Sequence, residues 1–295
     1  MVAASRAKSS DRAAILKKLL PAIKKHYKVV VPGHDRPVLE TMLFAICLED
    51  ASVADAEQSF ARLGTEFPDL NEIRVSSILE IERAFVGQAK PEWRAFHVRN
   101  VLQYVFEKSF AFEFESLRKK TLELAQKQLA KIKHLSSFVR SYTLQSVIGA
   151  HLIPLDEATC NALIWLGLVP PNQDAEQMSE TLKSVVRKAD VPMFCFALRS
   201  LATDKNVLAH FNPASNPPPD EGYDGAQVAE RLIALYKAGA TPSKAKSGSA
   251  TKSAETKQTT SKKSKADPSK PATKPAKKLT AAKGAAVKKV TKKAR

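Results

Sequence analysis

Apolar residues recur along most of this chain at three- and four-residue steps, the period of a helix with one buried face. Ile15, Leu19, Leu20 and Ile23 mark a helix from Ser10 or Asp11 to about Tyr27, and Pro21 inside it predicts a kink or two short helices. Val29 to Val31, ahead of Pro32-Gly33, reads as an extended link. After Asp35, PVLETMLFAICLE is apolar nearly all round, which places it in a core. SVADAEQSFARLG follows, with Ser52 as its cap, Val53, Ala56, Phe60 and Leu63 as its buried stripe and Gly64 as its end. Phe67-Pro68-Asp69 turns the chain into a short helix, NEIR, and Ser76 or Ser77 caps ILEIERAFVG. Trp93, Phe96, Val101, Tyr104 and Val105 set the stripe of a helix from Glu92 to Lys108, and residues 116–133 give another. Residues 174–188 and 192–201 read as two more, and 224–238 as a last one, with Val228, Leu232, Ile233 and Leu235 on its apolar face. No period-2 run of useful length appears, so the chain is expected to be all-α, with roughly ten helices and no solenoid repeat.

The rest is organised around residues 135–167, LSSFVRSYTLQSVIGAHLIPLDEATCNALIWLG. This stretch reads as helix, tight turn and helix, then a loop closed by Gly149, Pro154 and Asp156, then another helix. Asp156 stands before an apolar helical run, an N-cap position. An Asp there can stabilise the helix end, or it can hold a carboxylate at the mouth of a cleft. Both roles stay open on the sequence.

Charge divides the chain in two. Residues 241–295 hold 16 Lys and one Arg against Glu255 and Asp267, so +15 of the formal +17 lies there and the remaining residues carry +2. That tail is made mostly of Lys, Ala, Ser, Thr and Pro without aromatics, too poor in apolar surface to offset the entropy of ordering. Its PAKKL and VKKVTKKAR segments resemble the tails of linker histones and bacterial histone-like proteins, and such a charge density fits phosphate contact. Cys47, Cys160 and Cys195 are far apart in apolar runs, which predicts free thiols in a reducing compartment. No apolar run is long enough for a membrane span, and the six scattered histidines show no metal-ligand spacing. No cofactor is expected.

The order of features over roughly residues 12–204 resembles the endonuclease III family, the helix-hairpin-helix–Gly/Pro/Asp superfamily of DNA glycosylases. PVLETMLFAICLEDASVADAEQSF is similar to the family's core helix and its successor, LSSFVRSY to its hairpin LPGVGRKT, and GAHLIPLDEATCNALIWLGLV to its Gly/Pro loop, catalytic Asp and following helix. The resemblance implies a two-lobed helical fold around a cleft and a flipped nucleotide as substrate. It implies double-stranded DNA as partner, and Asp156 as the carboxylate that stabilises positive charge on the sugar. It also exposes departures. Aligned on Leu135 and Arg140, the hairpin lysine that gives some members lyase chemistry falls on Ser141, and the hairpin glycines on Ser137 and Val139. The loop to Asp156 is about three residues shorter, Glu49 stands near the family's helix-capping Gln, and the iron–sulfur cysteines are missing.

The expected organisation is therefore a disordered segment at 1–10 and a glycosylase-like helical core at 11–211. A Pro-rich loop and last helix at 212–240 and a disordered basic tail at 241–295 follow. If the protein is active, it is a monofunctional glycosylase using Asp156. The alternative is a catalytically inactive glycosylase-fold protein that binds DNA through its tail as a nucleoid or chromatin component. Candidate DNA contacts are Ser136, Ser137, Phe138, Arg140 and Ser141 in the hairpin and Lys262, Lys263, Lys277, Lys278, Lys288, Lys289, Lys292 and Lys293 in the tail. Phe138 can pack inward or press on DNA, whereas Trp93 and Trp165 lie on apolar stripes and are expected in the core. A monomer is expected, in the cytoplasm with the nucleoid, or in a nucleus if the source is eukaryotic.

Overall fold

A computed structural model describes residues 9–28, 36–219, 222–225 and 227–239. Every regular element among them is helical. The chain begins with α1 (Ser9–Tyr27), then builds a first lobe from α2 (Val38–Leu48), α3 (Val53–Glu66), α4 (Leu70–Val75), α5 (Ile78–Glu82), α6 (Pro91–Ser109), α7 (Leu122–Leu129) and α8 (Ser137–Ile148). It returns to α1 to complete a second lobe from α9 (Glu157–Trp165), α10 (Ala175–Lys183), α11 (Val191–Ala202) and α12 (Val228–Gly239). Each lobe has its own apolar core. Met42, Phe44, Phe85, Leu102 and Val139 belong to the first, and Leu19, Leu163, Phe194, Leu198 and Leu232 to the second.

The axis of the first lobe is α2. Its residues are apolar on nearly every side because α3, α6 and α8 all pack on it. Most of the other helices start at a residue built for the purpose. The side chains of Ser52, Asp69, Ser77, Thr121, Ser136, Asp156 and Asp174 each accept a backbone N–H from the first turn that follows. Ser77, Asp156 and Asp174 complete reciprocal capping boxes with Glu80, Thr159 and Gln177. α2 has no such residue of its own, and Glu115 supplies the acceptor from elsewhere, taking the Val38 N–H at 2.6 Å.

Several expectations change. α1 runs on through Pro21 as one helix, because Leu16 and Leu19 before the proline and Ile23 after it are buried in the same core. α3 continues through Gly64 to Glu66. Residues 116–133 are not one helix: a 3-10 turn at Glu115–Lys119 precedes α7, which Thr121 caps. α10 stops at Lys183, short of 188. Trp93 is not a core residue but is 57% exposed. One turn of α6 closes on the core through Arg94, Ala95 and Val98 instead, which leaves the Trp93 position on the outer side. Trp165 is partly buried against the second core. The cysteines are free, as the spacing implied. The 29–35 link, with Asp35, lies outside the described residues, as do the 1–8 segment and the whole tail. No described helix is long and apolar enough to cross a membrane.

Candidate functional site: the joint at Asp156

The two lobes meet where α2 ends and α9 begins. After Leu48 the chain reverses at Asp50, which takes a left-handed backbone at φ +52°, a conformation Asp tolerates better than most side chains. The Asp50 N–H donates to Asp156 Oδ2 at 2.7 Å, and Asp50 Oδ1 accepts the Ala158 N–H at 3.0 Å. Each aspartate therefore satisfies backbone belonging to the other's segment. Asp156 Oδ1 also accepts the Thr159 N–H at 3.0 Å and the Thr159 hydroxyl at 2.6 Å, which caps α9.

Arg199, from the middle of α11, closes this joint. One guanidinium nitrogen sits 2.7 Å from Asp156 Oδ2, and the side chains are 5% and 1% exposed. The other donates to the carbonyls of Leu48 at 2.8 Å and Ala51 at 3.1 Å. The guanidinium lies over the Phe138 ring, 4.8 Å from its centroid. Arg94, buried on α6, reaches the end of α2 from the other side and donates to the carbonyls of Ile46, Cys47 and Glu49. A helix end leaves four carbonyls without intrahelical partners, and here two arginines serve them inside the protein.

The Asp156 carboxylate thus receives four donors, two on each oxygen, which fills its ordinary accepting capacity. Burial pushes its pKa up, but the Arg199 charge, the Thr159 hydroxyl and the Asp50 and Thr159 amides outweigh burial and hold it below the usual value. It is a fully partnered group whose ionised form the joint favours. Neighbouring Glu49 is in the opposite condition. Burial pushes its carboxyl up to about 7, opposed by a hydrogen bond from Ser136 and by Arg94, while Asp50 and Asp156 repel its charge.

Beside the joint a cavity of about 610 Å³ runs along α8 between the lobes. Phe44, Phe138 and Tyr142 line one side, Cys195, Phe196 and Arg199 the other, and Gly149 and Pro154 of the connecting loop contribute to its wall. Gly149 ends α8 at φ +62°, a backbone that suits glycine. Arg199 reaches this wall, but Asp156 does not. The carboxylate lies behind the guanidinium.

The hairpin residues divide over two faces of α8. Ser136 caps the helix, its hydroxyl accepting the Val139 N–H at 3.1 Å. Ser137, Arg140 and Ser141 face a separate groove shared with Glu176 and Glu180 of α10. Arg140 lies 3.8 Å from Glu176, a loose and exposed pair. Phe138 packs inward at 2% exposure and so does not press outward on a partner. Its ring packs against the Arg199 guanidinium that pairs with Asp156, one turn before Ser141 on α8. His134 and His151 do not form a pair: His134 lies against Phe96, and His151 bonds the Val186 carbonyl at 2.9 Å. The described residues hold no cluster of metal-ligating side chains.

Arg199, Arg94 and Asp50 are missing from the sequence reading. The signal was there for the arginines, each of which interrupts an apolar helical run, in FALRSLA and WRAF. A charge on a buried stripe requires a partner. What the sequence withheld was the partner.

No protein-family model matches the chain, and no curated protein matches it in sequence. Solved structures do match in fold. An endonuclease III trapped as a covalent intermediate with DNA, an estranged-adenine complex, is similar at a TM-score of 0.51 and 10% identity, over 75% of this chain and 98% of that one. A non-covalent endonuclease III–DNA complex gives 0.50 and 11%, with the same coverage. The H. pylori 3-methyladenine DNA glycosylase MagIII, bound to 1,N6-ethenoadenine, gives 0.46 and 10% over 64% of this chain and 95% of that one. The fold is the two-lobed helical fold of the endonuclease III structures.

Proposed function

We propose that this protein binds DNA on a helix-hairpin-helix glycosylase scaffold and does not excise bases. One observation carries the reading: the Asp156 carboxylate has four donors, is 1% exposed and is absent from the wall of the cavity beside it. A carboxylate that stabilises a sugar cation, or orients a water towards it, needs a face open to the sugar. Asp156 has none, and opening one would break its buried pair with Arg199 and leave that guanidinium with backbone carbonyls but no counter-charge, at a cost of about 3–5 kcal/mol. Phe138, whose ring packs on the Arg199 guanidinium, supplies neither nucleophile nor base. The similarity in fold to proteins solved with DNA supports the DNA half of the reading.

Binding rests on the basic residues 241–295, where Lys262, Lys263, Lys277, Lys278, Lys288, Lys289, Lys292 and Lys293 stand in pairs, with Arg140 and the hairpin serines contributing from the helical part. Counterion release then makes affinity fall with salt at a slope of about −0.9 per phosphate contact. A nucleoid or nuclear location follows from the same reading.

The test is base release. Full-length protein and Asp156→Asn are incubated with duplexes carrying uracil, oxidised pyrimidine, 8-oxoguanine, alkylated purine or mismatched adenine, and abasic sites are revealed with alkali. The expected result is steep salt-dependent binding to every duplex and release from none. Release by the wild type that the Asn variant loses would overturn the reading and restore Asp156 as the glycosylase carboxylate.

A further inference from the structure

Four aromatic rings meet on the surface beside the hairpin. Trp93, on the first turn of α6, is 57% exposed. Its ring stands nearly perpendicular to that of Phe96, at 89° and 6.0 Å between centroids, and lies 6.0 Å from His97. Phe96 in turn lies 5.5 Å from His134, in the turn that leads into α8. His134 takes a left-handed backbone at φ +61° and is exposed. Lys131 and Lys133 precede it, both exposed and neither within ion-pair distance of an acidic side chain among the described residues. The hairpin cap Ser136 lies two residues beyond.

The fold does not account for this cluster. The turns of α6 that hold the first core use Arg94, Ala95, Val98, Val101 and Leu102, and α6 starts with a proline at its first position without needing an aromatic there. An indole left more than half in water contributes little of the stabilisation that full burial would give. What remains is the open face of the Trp93 indole, with Phe96 and His97 half-buried beside it and His134 exposed after Lys131 and Lys133, next to the helix start that the hairpin presents. A π-face with basic neighbours is the chemistry that holds an unpaired base, because every base offers a ring to stack on while the lysines take the adjoining phosphates. In a closed duplex those ring faces are already stacked on one another. Glu92 is the acidic residue next to Trp93, and a bound strand must pass it.

We infer that the Trp93–Phe96–His97–His134 cluster is a stacking site for an unpaired nucleotide, so that the helical part prefers single-stranded or locally opened DNA. The inference rests on the DNA-binding reading above and adds to it the strand state and the residues that sense it.

The test uses the full chain. Binding of an oligothymidylate and of a duplex of equal length is measured for the wild type, for Trp93→Ala and for Lys131→Ala with Lys133→Ala. Trp93→Ala is expected to weaken the single strand about tenfold while leaving the duplex unchanged, since one stacked base is worth about 1–3 kcal/mol. The double lysine variant is expected to weaken the single strand more than the duplex. Direct contact is read in Trp165→Phe, which leaves Trp93 as the one tryptophan of the chain: oligothymidylate should quench its fluorescence and the duplex should not. Equal loss on both substrates, or binding without quenching, would overturn the stacking site and leave the DNA-binding reading standing. Failure of wild type to bind either substrate would overturn both.

Discussion

The joint at Asp156 and the ring cluster at Trp93 flank the same hairpin and treat their chemistry in opposite ways. At the joint, ionised groups are taken out of water and matched: Asp156 with Arg199, the Thr159 hydroxyl and two amides, and Arg94 with four carbonyls. At the cluster, an indole that touches Phe96 and His97 is still more than half in water, and two exposed lysines have no acidic partner among the described residues. The residue that most resembles a catalytic group thus has its oxygens bonded within the joint, whereas residues that resemble nothing in particular keep surface open to water. Partnering, more than residue type, separates a structural group from an available one. A carboxylate with four donors has little left to offer a substrate.

The sharpest way to break this contrast is to remove Arg199. Arg199→Leu leaves the Asp156 carboxylate and the Leu48 and Ala51 carbonyls without their partner, and is expected to lower stability by about 3–5 kcal/mol in urea denaturation. A loss below about 1 kcal/mol would mean that the joint is solvated and Asp156 accessible. Phe138→Ala is expected to cost about 3–5 kcal/mol as a large-to-small change in the first core, in keeping with an inward-packed ring. A change near zero would return Phe138 to the surface.

Glu49 gives a smaller effect with a definite sign. Its folded pKa is raised from 4.5 to about 7, so the folded protein binds more protons than the unfolded chain between those values. Stability is then full below about pH 4.5 and is lost as pH rises through about 7, by roughly 1–3 kcal/mol. Glu49→Gln should therefore stabilise the protein at pH 8 and have little effect near pH 5. Asp156 has the opposite sign: its pKa is held below the usual value, so its contribution is lost only in acid, as pH falls below about 4. The smallest effect belongs to Trp93→Ala, expected to change stability by less than about 0.5 kcal/mol, as for a surface residue. A large loss there would make the cluster part of the core and remove the reason to assign it a ligand.

Local chemistry was legible in advance because it is written in adjacent residues. The caps at Ser52 and Asp156, and one at Ser76 or Ser77 that the structure places at Ser77, follow from a short polar side chain ahead of an apolar helical run, and the all-helical character from the three- and four-residue steps. The core place of α2 follows from its lack of a polar face. Two features that look local were misleading. Pro21 did not break α1, and Gly64 did not end α3. The α1 proline shows why: buried leucines before it and Ile23 after it hold the helix on both sides. Trp93 failed for a related reason, since a helical period gives a stripe but not its edges, and Trp93 fell just outside.

The sequence by itself determined a helical chain, the Ser52 cap that opens α3, an Asp poised at the head of α9 and a polycationic stretch at 241–295. The partners that surround Asp156 in the folded chain include residues far from it in sequence. Asp50 lies 106 positions away in the chain and Arg199 stands on another helix, yet both bond the same oxygen. Capping requires only the next three residues, and a sequence shows those. Whether the remaining lone pairs face a substrate or a buried guanidinium depends on how the lobes close, and only the tertiary structure brings those partners together.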